Sequence, residues 1–321
     1  MPVTLNPVRS LSPLVVLAAR ALLLARALLL VPALLPAPAL LLACAGMAAA
    51  SLRAQPAAQA LTPADAQALV QRALATEARA AQDLSHVGHP MRYQLHKTSP
   101  RLSTTKEIVE TKDGDVARLL SINGQPLNAA DEQTEQARLQ ALIDNPGLQQ
   151  HRKQSEDSDT ARAMKVLRVL PTAFLYEFAG PVPGPDGMVE KFTFKPNPQF
   201  DPPDMETGVL TAMAGEIWID PVEERVVRLA GSLQQDKELA LGLVALDKGG
   251  WIEINQADVG GHQWRIVHLK LKMNTRVVFK SKSSDSVQEY SQFAPPPADL
   301  SYKQAIEMLR TNSWPAAQGA K

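Results

Sequence analysis

The chain has 321 residues, 45% of them hydrophobic, and its 33 basic and 33 acidic side chains balance to a formal net charge of zero. That length suffices for one large domain or two small ones, and the even charge gives no electrostatic footprint for nucleic acid. Cys44 is the only cysteine, which excludes an internal disulfide, a cysteine zinc site and a thiol nucleophile from everything downstream.

The first 64 residues contain no Asp or Glu. Arg9, Arg20 and Arg26 precede an apolar stretch over residues 27–45, and Ala48-Ala49-Ala50 offers a small-residue cleavage site before Ser51. A basic start, an apolar middle and such a site are the parts of a secretory signal. Leu41-Leu42-Ala43-Cys44 also resembles a bacterial lipobox, in which cleavage leaves Cys44 carrying lipid. An uncleaved N-terminal anchor is the third reading, disfavoured by Pro32, Pro36 and Pro38. Export to the periplasm or the outer membrane of a bacterial envelope argues against enzymes that depend on cytosolic cofactors. Loss of residues 1–50 leaves 271 residues with a charge near −3.

Residues 51–61 read as a linker. Thr62-Pro63-Ala64-Asp65 starts a helix that runs to about Leu84, with Leu69, Val70, Ala73, Leu74 and Ala80 on one face. From Met91 the period drops to two, with Met91, Tyr93 and Leu95 alternating with polar residues. Strands follow over 106–111 and 116–122, separated by the Asp113-Gly114 turn, and Asn123-Gly124 turns again. Asn128 with Asp131 caps a helix whose apolar face is Leu139, Leu142 and Ile143. Residues 149–159 are so polar that they read as exposed helix or loop. Residues 161–170 read as a short packing helix stopped by Pro171.

Strand signals resume at 173–179, with a turn over 181–187 and a strand over 191–195. Four prolines make 196–203 an irregular loop. Residues 205–213 read as a short helix or turn. Strands follow over 216–220, 225–230, 251–255, 262–273, 276–280 and 287–292, and a last helix over 301–310. The fold class is α+β, with a strongly curved antiparallel sheet, an incomplete β-barrel, wrapped around helices. One face is expected to carry the helices and the other to meet water. The domain spans 62–312, with a helical insertion at 128–170 and a tail at 313–321.

Gly215-Glu216-Ile217-Trp218-Ile219-Asp220, followed by Arg225-Val226-Val227-Arg228-Leu229, resembles the strand pair of the LolA/LolB superfamily of periplasmic lipoprotein carriers. Phe192-Thr193-Phe194-Lys195-Pro196-Asn197-Pro198 fits the same group. The specific match covers residues 192–229, and no functional residue of the family transfers to this chain. The resemblance implies an apolar concave interior that binds lipid acyl chains or lipoproteins.

The residues give the same idea a physical form. By period two, Ile217, Ile219, Val227, Leu229, Ile252 and Ile254 share one sheet face, and Phe192 and Phe194 join them. Two outcomes are open: these eight line a ligand site, or they are filled core under helices. Other constellations read as structural. Glu216, Asp220, Glu223 and Glu224 flank a turn. His86, His89, His262 and His268 do not make a zinc site. Ser281, Ser283, Ser284 and Ser286 read as a hairpin turn, and Lys270, Lys272, Arg276, Lys280 and Lys282 as a solvated basic strand pair able to meet anionic head groups. No catalytic residue, metal or cofactor is expected. The expected partner is an acyl chain or lipoprotein, with a membrane surface as a further contact. The alternative is an envelope scaffold or sensor with a filled core, acting through protein contacts.

Overall fold

The computed structural model describes residues 61–85, 89–239, 243–277 and 280–311. The leader, Cys44, the linker to residue 60, His86 and the C-terminal tail lie outside the described residues. Helix α1 spans Pro63–Ser85. A meander of β1 (Arg92–Thr98), β2 (Ser103–Val109), β3 (Val116–Ile122) and β4 (Gln125–Pro126) follows. Helices α2 (Ala129–Asp144) and α3 (Pro146–Ala173) lead directly into β5 (Phe174–Pro183) and β6 (Met188–Pro196). A 3-10 turn at Thr207–Ala212 precedes β7 (Met213–Asp220), β8 (Arg225–Leu233), β9 (Lys237–Leu239), β10 (Val244–Leu246), β11 (Trp251–Asp258), β12 (Trp264–Val277) and β13 (Lys280–Ala294). Helix α4 is Tyr302–Thr311.

All thirteen strands belong to one antiparallel sheet, ordered β4-β3-β2-β1-β13-β12-β11-β8-β7-β6-β5, with β10 beside β12 and β9 beside β10. The N-terminal meander therefore joins the last strand, and the sheet remains open between β4 and β5. The chain travels from one free edge to the other through α2 and α3, so these helices stand where a closed barrel would have paired strands.

Polar side chains of α2 and α3 carry that junction. The Asn128 side chain caps α2 by accepting from Ala130 N–H at 2.9 Å and Asp131 N–H at 3.0 Å. Glu135 accepts the Leu119 N–H at 2.8 Å, and Arg138 donates to the Ala117 carbonyl. Both groups lie on β3, whose outer edge is otherwise paired only by the two residues of β4. Gln149 donates to the Asp113 carbonyl at 3.1 Å, Arg152 donates to the Asp115 carbonyl at 3.3 Å, and Glu156 accepts the Asp115 N–H at 3.0 Å. The polar stretch 149–159 is thus helix that satisfies the β2–β3 turn at Asp113 and Asp115, with Gln149 and Asp159 buried. Pro171 does not end α3, which continues two residues further to Ala173.

Three other expectations shift. The 181–187 turn is shorter, since β5 extends to Pro183 and β6 starts at Met188. His262 sits in a turn with φ +58, and β12 begins at Trp264. The Ser281–Ser286 stretch is strand, paired residue for residue with β12.

Apolar residues of α1 and α3 (Leu69, Val70, Ala73, Leu74, Val166, Leu170) pack on the inner face of β5–β8, β11 and β12. A second cluster joins Val109, Val116, Leu139, Leu142, Ala305, Ile306 and Leu309. Val109 alternates with Ile108, so α2 and α4 cover the outer side of β2 and β3. Helices consequently meet both faces of the sheet, not one.

Candidate functional site

Seven of the eight predicted lining residues gather on the inner face. Phe192 is 1% exposed, Phe194 5%, Ile217 1%, Ile219 0% and Ile252 2%, while Leu229 and Ile254 pack against the same cluster partly buried. Val227 does not join them. The β7–β8 register runs Trp218↔Arg228 and then Ile219↔Val226, so Val227 is the unpaired residue of a bulge. It falls into a separate cluster with Val189 and Trp264, against Val182 and Trp218.

The near-zero exposures carry a geometric consequence. A side chain lining an empty channel keeps surface that a water molecule can touch; these side chains have almost none. Helices α1 and α3 occupy the concave space that an acyl chain would need. Of the two outcomes, filled core describes this half of the sheet, with α1 itself supplying the apolar filling. Two depressions stand out elsewhere. One holds about 10 Å³ between Val189, Val227, Gln256 and Trp264, at the lower limit for a single water. The other is an open groove of about 540 Å³ lined by Ile143, Pro297, Leu300, Lys303, Gln304, Glu307 and Met308.

Helix α1 is tied to the sheet by one buried polar knot. Glu77 accepts from Arg225 Nε at 2.9 Å and Nη2 at 3.1 Å, from the Val226 N–H at 2.9 Å and from Gln256 Nε2 at 3.1 Å. Arg72 pairs with Glu224 nearer solvent. Glu77 lies four residues beyond Ala73 and seven beyond Val70, hence on the apolar face.

The other half of the inner face, on β1, β2 and β13, is polar. Tyr93 contacts Tyr290 and Phe293, with ring centroids 5.8 and 5.5 Å away. Burial pushes the Tyr290 hydroxyl up to about 12. Lys97 stands directly opposite Gln288 on β13 and Thr104 on β2, and Lys106 stands opposite Leu95. Burial, then the charges of Lys106 and Lys282, lower Lys97 to about 8. Burial and the Arg138 and Arg152 guanidinium groups lower Lys106, against the opposing pull of Glu135. Where the chain enters β3, Asp115 is held well above the usual carboxylate range by burial and by the charges of Glu156 and Glu110.

The outer face carries an ion network. Arg228 pairs with Glu216 and Glu253, Lys191 with Glu216, and both cations lie over the Trp218 ring. Glu216 is thus a structural partner of Arg228 and Lys191. Asp220 caps its turn by accepting the Val222 and Glu223 N–H groups. Of the basic strand pair, Arg276 is bound to Asp247 and Asp236. His262 stands 3.5 Å from Glu223, and His89 is exposed. Among the described residues, no group of three His, Cys, Asp or Glu is placed to hold a metal, and no helix is long and apolar enough to cross a membrane.

No family model matches the chain, and no curated protein matches it. Several solved structures are similar, two of them as follows. One is a domain named for outer membrane lipoprotein sorting from Vibrio parahaemolyticus, at 11% identity and a TM-score of 0.29, covering 75% of this chain and 99% of that one. The other is a LolA superfamily protein from Nitrosomonas europaea, at 11% identity and a TM-score of 0.24, covering 72% of this chain and 94% of that one. The second bears the name of the superfamily that residues 192–229 resemble. Overlaps this loose add nothing about what the chain binds.

Proposed function

We propose that this chain is a non-enzymatic protein of the bacterial envelope that binds a lipid acyl chain or an acylated protein on the inner face of its sheet, and that the arrangement with α1 seated on that face is its closed state. The observation behind this reading is the composition of the plug. The inner face is continuous apolar surface from Phe192 to Leu271, and α1 covers it with Ala66, Leu69, Val70, Ala73 and Leu74. Fully burying each of the larger side chains is worth about 1.5–3 kcal/mol. An acyl chain re-covers the sheet face without directional bonds, so exchanging α1 for a lipid tail costs the Glu77 knot, the packing of α1 on α3 and new cover for the apolar residues of α1 itself.

Extraction of the purified chain from Ser51 onward, followed by mass spectrometry, tests the reading. Co-purified or stoichiometrically rebound fatty acyl groups are expected; their absence, with no uptake of added palmitate, rejects it. The tightness of the packing favours a second reading, in which the core stays filled and the protein is a scaffold or sensor acting through its surface. That reading expects a stable protein partner recovered by crosslinking and no lipid. Envelope placement rests on the leader, and labelling with palmitate against Cys44→Ala separates a lipid-anchored form from a free one. Labelling that survives the substitution rejects the Cys44 anchor.

A further inference from the structure

We infer that Lys97, Lys106 and Gln288 form a binding site for a compact oxyanion, a phosphate or carboxylate group, on the inner face of β1, β2 and β13. This site deepens the acyl-binding reading by giving the amphiphile's head group a seat, yet it stands on separate observations. Period two places Leu95 and Lys97 on one face of β1, with Lys106 opposite Leu95 and Gln288 opposite Lys97. The two lysines are therefore diagonal cross-strand neighbours, roughly 7–8 Å apart at the backbone.

Every one of these groups is a donor seeking an acceptor. Among the described residues neither lysine makes an ion pair or hydrogen bond. Gln288 is 0% exposed; its Oε1 accepts from the Tyr290 hydroxyl at 3.1 Å, and its Nε2 has no protein partner. The amide is planar, so Nε2 faces away from Tyr290. A buried unpaired donor costs about 1–3 kcal/mol, and lysines offer no acceptor to relieve it. The nearby carboxylate is Glu135, and it is already committed to Arg138 and to the Leu119 N–H. Lys282, Arg138 and Arg152 add positive charge from β13, α2 and α3. An oxyanion supplies in one group the acceptors that all of them lack.

The site borders apolar surface. Leu95 and Tyr290 face each other one pair away from Lys97, and Leu269 of the main core pairs with Gln288. An anion seated here places an attached tail beside the cluster that α1 covers. Because the seat requires charged Lys97, whose titration lies near 8, binding is stronger at pH 7 than at pH 9.

The test uses the chain from Ser51 onward, which contains every described element. Inorganic phosphate, butyrate, lysophosphatidylglycerol and lysophosphatidylcholine are titrated calorimetrically at pH 7 and pH 9. Lys97→Met is the main variant, and Gln288→Met is the second. Lys97 is half-buried and unpaired, so its loss relieves repulsion and leaves melting unchanged or raised. Binding of phosphate or butyrate that weakens at least tenfold in Lys97→Met and at pH 9 assigns the seat to free oxyanions. Binding of lysophosphatidylglycerol alone, with the same losses, assigns it to a lipid head group. Equal binding of the two lysolipids by wild type and Lys97→Met overturns the site while leaving the acyl reading intact. Absence of binding by all four ligands overturns the site as well.

Discussion

Replacing Glu77 by Gln isolates the polar knot that fastens α1. The carboxylate accepts four hydrogen bonds, two of them from Arg225. Glutamine keeps one acceptor oxygen and presents an amide to the remaining donors. The Arg225 and Glu77 side chains are 12% and 9% exposed. Breaking a fully buried pair costs about 3–5 kcal/mol, and the residual exposure of Arg225 puts the expected cost near the lower end, about 3 kcal/mol. For a domain of this size that corresponds to a melting point roughly 6–12 °C lower. Arg72→Ala is the control: Arg72 is 53% exposed, and such surface pairs contribute at most about 1 kcal/mol. The same substitution makes α1 easier to lift. If its release limits lipid entry, affinity for a fluorescent fatty acid rises, with about 100-fold as the ceiling for 3 kcal/mol. A melting point within 1 °C of wild type refutes the energetics. A lower melting point with unchanged affinity refutes α1 as the plug.

Gly215→Ala is expected to destabilise by at least about 3 kcal/mol, the top of the usual overpacking range, because the added Cβ would lie 1.9 Å from the Ala230 carbonyl oxygen and 2.7 Å from Gly231 Cα. Thermal unfolding measures it, and a folded variant of near wild-type stability contradicts the close β7–β8 approach. Asp115, Glu156 and Glu110 are all raised, with burial the largest cause. Folded carboxyls raised above their unfolded value of about 4 bind extra protons in the native state, so they add stability as pH falls from neutral toward 5 and lose it again as pH rises. Melting points measured from pH 7.5 to 5 should climb, and Asp115→Asn should raise melting at pH 7.5 and flatten the climb. A steady fall in wild type over that interval contradicts the assignment.

The open antiparallel sheet was legible because its signals are local. Asp113-Gly114 and Asn123-Gly124 mark turns, and alternation in 216–220 and 251–255 marks half-buried strands. The Asn128 cap was legible for the same reason. The polar segment 149–159 is the exposed helix its composition suggested, except at its ends: Gln149 and Asp159 are buried, and hydropathy does not register a side chain such as Gln149 spent on the carbonyls of a distant turn. Val227 misled because a bulge shifts the period by one residue, and no local signal in Arg225–Leu229 announces it. The seven inner-face residues were found, but their packing against α1 was a tertiary fact. Glu77 and Lys97 were visible by spacing, on a helix face and a strand face that already carried apolar neighbours. They stayed unread because charged residues at such positions pass for solvated ones until burial is known.

The most direct test of the closed-state claim is hydrogen exchange of the α1 amides between Leu69 and Glu77, with and without a bound fatty acid. The account predicts strong protection alone and a marked loss on binding, as the tail takes the place of the helix. Saturating fatty acid that leaves this protection untouched would contradict it.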